Sequence, residues 1–488
     1  MKRMPWLVTW LLVLGAMPAA PAPADTFAFP GTPAGAAAEA WFQAFNGTEA
    51  DMRELYAKHY APGPRTPEQR LAVWKQLRSD LTSLTPVRVA EERPGHIEVI
   101  ARDGHAGFAR LSFELDPGGL IVGVSIDQAD ASEAAAPPPA DTRPLSETGV
   151  VALLSQRVDS LAAAGQFSGV VRLEHHGTLL LERAWGEANR DTHTPNRVDT
   201  RFNIGSLNKQ FTKAVIAKLC EQGKLKPDDK LSKFLPDFPR NQADKITIQQ
   251  LLDMRSGLGD FFGPRYMQAD KSKLRNPRDW FPLFVGDSLQ FEPGTSERYS
   301  NAGYVVLGAV IEAITGKSYY DVVRDWVYKP AGMKNTDSYA KDDASAAVAI
   351  GYSRRLGAPG DPPGDPRPNT AALPWRGSPA GGGYSTAQDL SRYVHALEGQ
   401  QLLSEQTLSR FYGAVRLPNN GGLRVALGVA GGSPGCNADV ENEWGWTLVV
   451  LANGDPPAAE SLARTARDWI RRVPDPSQFP QNVHGDVK

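Results

Sequence analysis

Hydrophobic positions fall in two rhythms along this chain, and the change of rhythm divides it. Residues 37–60 carry Trp41, Phe42, Phe45 and Leu55 at helical spacing, and residues 66–84 repeat that period. Four strand-like runs follow, at 87–90, 97–101, 106–115 and 120–127. Helices succeeded by strands predict a small α+β unit over residues 25–128. Residues 129–145, rich in Ala and Pro, have little to bury and read as a linker. The block 146–473 opens with a helix at 151–163 and paired strands at 169–173 and 178–184, turning at His175-His176-Gly177. It closes with strands at 423–429 and 446–451 and a helix at 458–471, with helices and loops between. Strands at both ends imply that the two ends of the block complete one antiparallel sheet flanked by helices. A polar tail, 474–488, follows.

The first residues bear on where the protein works. Lys2 and Arg3 precede a short apolar run, 6–17, and the small residues Ala22-Pro23-Ala24, the pattern of a cleaved signal peptide over 1–24. This predicts an exported protein, periplasmic or secreted. The run is short of the roughly 20 residues a bilayer span needs, and no later stretch reaches that length, so no stable membrane span is expected after cleavage. A length of 488 residues favours more than one core. With 53 basic and 55 acidic side chains the net charge is -2, and no basic block offers a nucleic-acid footprint. Two cysteines, Cys220 and Cys436, are no disulfide framework and read as small apolar residues.

Two constellations carry candidate chemistry. In Ser206-Leu207-Asn208-Lys209 the serine and lysine are spaced to share one face of a helix. A serine hydroxyl needs a neighbouring base, and a lysine amine serves if burial lowers its pKa. Alone the pair is also what a surface helix would show. Gly205 ahead of it permits a tight entry, and a helix start supplies free N–H groups and the positive dipole end. In Tyr299-Ser300-Asn301 the phenol can relay a proton if nearby cations lower its pKa, and the carboxamide can hold a substrate amide.

Together these motifs resemble the class C β-lactamase family of penicillin-recognising serine hydrolases, which includes carboxylesterases, D-aminopeptidases and DD-peptidases. Further segments are similar to that family: Ile246-Thr247-Ile248 with Leu251-Leu252, Ser256-Gly257-Leu258, Phe291-x-Pro293-Gly294 leading into the tyrosine motif, Pro330-x-Gly332-Met333, and Gly381-Gly382-Gly383-Tyr384-Ser385-Thr386. The resemblance implies a β-lactamase-like domain in which Ser206 is acylated, Lys209 and Tyr299 share the proton transfers, and Asn301 orients the substrate. It implies an oxyanion site formed by the N–H groups of Ser206 and Gly432, beside Gly431. The substrate it implies is a small ester, amide or peptide, and the chemistry calls for no metal or cofactor. The order of elements in the first unit loosely resembles the cone-shaped domain of the nuclear-transport-factor-2-like superfamily, and no functional residue is carried over from that likeness.

The third motif departs from the family's pattern. Where the family has Lys-Thr-Gly or His-x-Gly, this chain has Val429-Ala430-Gly431. Valine cannot grip a substrate carboxylate, which weakens the β-lactamase and DD-peptidase readings and leaves ester or amide cleavage. It also motivates an alternative, a catalytically impaired binding or sensing protein on the same fold. Gly431-Gly432-Ser433-Pro434-Gly435 fits the nucleophile-elbow pattern Gly-x-Ser-x-Gly, but that motif needs a strand, a sharp turn and a helix. Here a hairpin is expected, so Ser433 is not taken as the nucleophile. His175-His176 reads as a solvated turn, and His395 as a packed helix residue.

Overall fold

The structure, a computed structural model, describes residues 27–474 apart from 62–65, 106, 117, 130, 135–142, 344–346, 357–363 and 418–421. The expected signal peptide and nearly all of the polar tail lie outside the described residues. The chain divides into two compact units between Ala136 and Pro137.

In the first unit the single helix expected over 37–60 is two, Pro33–Asn46 and Glu49–His59. Thr48 breaks it: its hydroxyl accepts from Asp51 N–H while the Asp51 carboxylate accepts from Thr48 N–H, a capping box that starts a new helix. These helices and Pro67–Leu81 cover one face of a four-stranded antiparallel meander. Trp41, Phe42, Phe45, Leu111 and Phe113 are buried between them. Residues read as the start of the linker belong to this unit: Ala129 ends the strand Ile121–Ala129, and Glu133 on the turn Ala131–Ala134 pairs with Arg110.

The second unit is built on a five-stranded antiparallel sheet. Its order is Leu427–Ser433, Cys436–Glu443, Trp446–Ala452, Gly169–His175, Thr178–Trp185, so strands from the two ends of the unit lie side by side. Trp446–Ala452 is apolar throughout except Thr447, because both faces are covered. Trp446, Leu448 and Val450 pack with the helices Glu147–Ala163 and Ala458–Ile470, while Val449 and Leu451 point into the larger core on the other side. Burying each such side chain contributes roughly 1.5–3 kcal/mol. The strand Cys436–Glu443 went unread in the sequence because its alternating positions Asn437 and Asp439 are polar, yet both are buried. Asn437 accepts from Ala459 N–H at 2.6 Å and so caps the closing helix, whose own N-cap, Pro457, has no side chain for the task.

Cys220 and Cys436 are both free thiols. His175 is not solvated: it is buried, stacked on Trp446 at 4.1 Å between ring centroids, with Nδ1 2.6 Å from Glu147. His395 lies on the helix Ala387–Glu398 with Nε2 2.9 Å from the buried Glu174 carboxylate.

Candidate active site

Ser206 and Lys209 straddle a change of helix type. Gly205–Asn208 is a turn of 3-10 helix and the α-helix proper begins at Lys209, so Ser206 precedes that helix rather than opening it. In a 3-10 turn, side chains three apart eclipse, which brings Lys209 Nζ to 3.0 Å from Ser206 Oγ. The turn is held from two sides. On one, Ile204 N–H donates to Gly383 O at 2.9 Å and Gly382 N–H to Gly205 O at 3.2 Å, while Asn208 donates to Ser378 O at 2.8 Å. A Cβ on Gly383 would stand 2.4 Å from Asn208 Oδ1, which is why this approach runs through glycines. On the other, the edge strand Leu427–Ser433 presses against it: a Cβ on Gly431 would lie 2.1 Å from Ile204 O and 2.8 Å from Ser206 N. Gly205, at φ +50°, has Gly432 N 2.8 Å from where its own Cβ would be. The backbone at Gly205-Ser206 and the backbone at Gly431-Gly432 are thus packed directly against each other.

The tyrosine motif arrives on the loop before the helix Asn301–Thr315. Ser300 is its N-cap, accepting from Gly303 N–H at 3.1 Å and donating to Gly259 O at 2.7 Å. This fixes the residues on either side. Tyr299 Oη lies 2.6 Å from Ser206 Oγ, and Asn301 Oδ1 accepts from Lys209 Nζ at 2.7 Å. Lys209 also donates to Ala380 O at 2.5 Å, and its ammonium sits 4.8 Å from the Tyr299 ring centroid. Ser206, Lys209, Tyr299, Asn301, Gly431 and Gly432 therefore converge. Ser433 instead ends its strand at the tight turn Pro434-Gly435, where it pairs with Cys436.

The electrostatics separate the two proton carriers. Burial pulls the Lys209 amine down to about 7, against the opposing charge of Asp260. The Tyr299 phenol moves the other way: desolvation raises it, the hydrogen bond with Ser206 only partly offsets this, and the Asp260 charge adds to the rise. Tyr299 was expected to act through a lowered pKa, and the neighbouring lysine does not supply one. The arrangement can deprotonate Ser206 through a neutral lysine and present a phenol proton at the same oxygen.

Two participants were not read from the sequence. The Ala380 carbonyl leaves no signature in a side-chain pattern. Asp260, whose Oδ2 accepts from Asn301 N–H at 3.1 Å and from Asn301 Nδ2 at 2.8 Å, closely follows the Ser256-Gly257-Leu258 segment, which could have drawn attention to it. Val429 lies on the same side of its strand as Gly431 and packs against the core, so no charged side chain enters from that position.

Comparison with known proteins places the chain among relatives. A family model described as Beta-lactamase matches residues 154–471. Penicillin-binding protein 4* of Bacillus subtilis (strain 168) is 29% identical over 296 residues, covering 59% of this chain and 65% of that protein, under two-thirds of its length. The crystal structure of a penicillin binding protein from Bacillus halodurans superposes with a TM-score of 0.55 at 28% identity, covering 64% of this chain and 98% of the other. A D-amino acid amidase from Ochrobactrum anthropi SV3 superposes with a TM-score of 0.55 at 24% identity, covering 66% and 98%, a likeness of fold alone.

Proposed function

The chain belongs to the Beta-lactamase family, and from that premise we propose that it is a serine hydrolase that cleaves small uncharged esters or amides through an acyl-enzyme on Ser206. The observation that carries this is the contact of Ser206 Oγ with both Lys209 Nζ, at 3.0 Å, and Tyr299 Oη, at 2.6 Å. Neutral Lys209 takes the hydroxyl proton as Ser206 attacks the carbonyl. The N–H groups of Ser206 and Gly432 hold the oxygen that becomes negative. Tyr299, kept protonated by its raised pKa, donates to the leaving group, and Lys209 returns the proton to Tyr299. A water then attacks the acyl group and Ser206 is regenerated. This connected network speaks against the impaired binding protein, which would have no need of it.

Val429 argues for the uncharged class, since that position offers no cation to pair with a free carboxylate on the substrate. An exported location belongs to the same proposal and rests on residues 1–24 alone. The test is turnover of p-nitrophenyl butyrate by the purified protein, set against a matched ester carrying a free carboxylate. The neutral ester is expected to be the better substrate, and Ser206→Ala to reduce its turnover by about a thousandfold or more. Undiminished turnover by Ser206→Ala would end this reading.

A further inference from the structure

The outer neighbour of this site is a carboxylate whose contacts are all to backbone or carboxamide N–H groups. Asp260 Oδ2 accepts from both the backbone and the side chain of Asn301, and Asp260 Oδ1 accepts from Phe262 N–H at 3.0 Å. Asn301 is 8% exposed, and both ends of its carboxamide are used within the protein, Nδ2 on Asp260 and Oδ1 on Lys209. A carboxamide can sit in its cradle in either of two flips. A carboxylate accepts and cannot donate, so with Asp260 on one side only one flip keeps every bond. In the other, Asn301 Oδ1 would face a carboxylate and Nδ2 would face the amine.

Resting on the hydrolase reading above, we infer that Asp260 is a positioning residue for the Ser206–Lys209 pair: it locks the Asn301 carboxamide with its oxygen toward Lys209, so that Asn301 holds that lysine in place. The same loop is tied to the helix start a second time by the Ser300–Gly259 hydrogen bond, so the lock is part of a rigid corner. Charge adds to geometry. The titratable groups against Lys209 are Ser206, Tyr299 and Tyr304, whose ring centroid is 5.6 Å away, while the segment at Ala380 presents a carbonyl. Asp260 is the charged group that acts on the amine and opposes the effect of burial. It keeps Lys209 a base strong enough to accept the Ser206 proton.

The test is the titration of Lys209 in the full chain, followed by its ε-carbon NMR shift, which Lys209→Arg identifies by its loss. Asp260→Asn keeps the shape and removes the charge. The Lys209 midpoint is expected to fall by about one pH unit, and the acid limb of kcat/KM for the neutral ester to fall with it. The rate constant kcat is expected to drop about tenfold or more with KM changed less than about twofold. Asp260→Glu, which keeps the charge at a longer reach, is expected to hold the midpoint near the wild-type value and still lose rate, and it separates charge from geometry. Should Asp260→Asn fail to fold by circular dichroism, Asp260→Ser is read in the same way. An unchanged Lys209 midpoint in a folded, uncharged variant would overturn the assignment, as would a KM effect alone. The NMR titration needs no turnover, so an inactive wild type would contradict the hydrolase reading while leaving this test decisive.

Discussion

At the scale of single residues the account turns on one amine. Lys209 is 5% exposed, and burial brings its pKa to about 7. Below that pH it is a cation and cannot accept the Ser206 proton; above it the neutral form predominates. We therefore expect kcat/KM for a neutral ester to rise with pH through about 7 and then level off, since the Tyr299 phenol is held above its ordinary range and stays protonated. A profile that falls through that region would assign the base elsewhere. The Ser206 and Lys209 pair was legible because a spacing of three has a mechanical meaning on a helix. Asp260 was not: it bonds Asn301 across 41 positions of sequence, and no periodicity links a loop carboxylate to a distant carboxamide. The raised phenol of Tyr299 was likewise invisible, since desolvation depends on packing.

At the scale of elements, function depends on how closely an edge strand meets a helical turn. Gly431→Ala would put a methyl group 2.1 Å from Ile204 O and force the two apart. A shift of that kind is expected to cost about a hundredfold in kcat/KM, with the melting temperature far less affected, and assays on the purified variant would show it. Glu174 ties the strand Gly169–His175 to the helix Ala387–Glu398. Burial works to raise its pKa, but the close His395 imidazole, the hydrogen bond from Ser391 and the charge of Arg172 hold it down at about 2. Its folded pKa is depressed, so this contribution is complete above the ordinary 4.5 and is lost as pH falls toward about 2. Glu174→Gln should therefore flatten the decline of the melting temperature across that window, and an unaltered decline would contradict the assignment. The pattern of apolar positions located the strands at 169–173 and 446–451 because they are apolar on a buried face. It missed Cys436–Glu443 because polar side chains there meet a helix, and it ran two helices together where Thr48 and Asp51 separate them.

At the scale of the whole molecule, the buried cores respect the division of the chain. The core holding Trp41, Phe45 and Phe113 draws on residues up to Ile121, whereas those around the five-stranded sheet draw on Val150 and beyond. Every residue of the candidate site belongs to the second unit. The antiparallel sheet could be anticipated because strand patterns stood at both ends of one long block, which two ends of a chain segment satisfy most simply by pairing. The crowding of Gly205, Gly383 and Gly431 around Ser206 could not, because it arises only once three distant segments meet. The central claim is that this meeting makes Ser206 the nucleophile. Its most direct test is covalent labelling of the purified protein with a fluorophosphonate probe, beside Ser206→Ala and Ser433→Ala. Labelling that persists in Ser433→Ala and disappears in Ser206→Ala is the predicted result; labelling lost only in Ser433→Ala, or absent from the folded wild type, would contradict it.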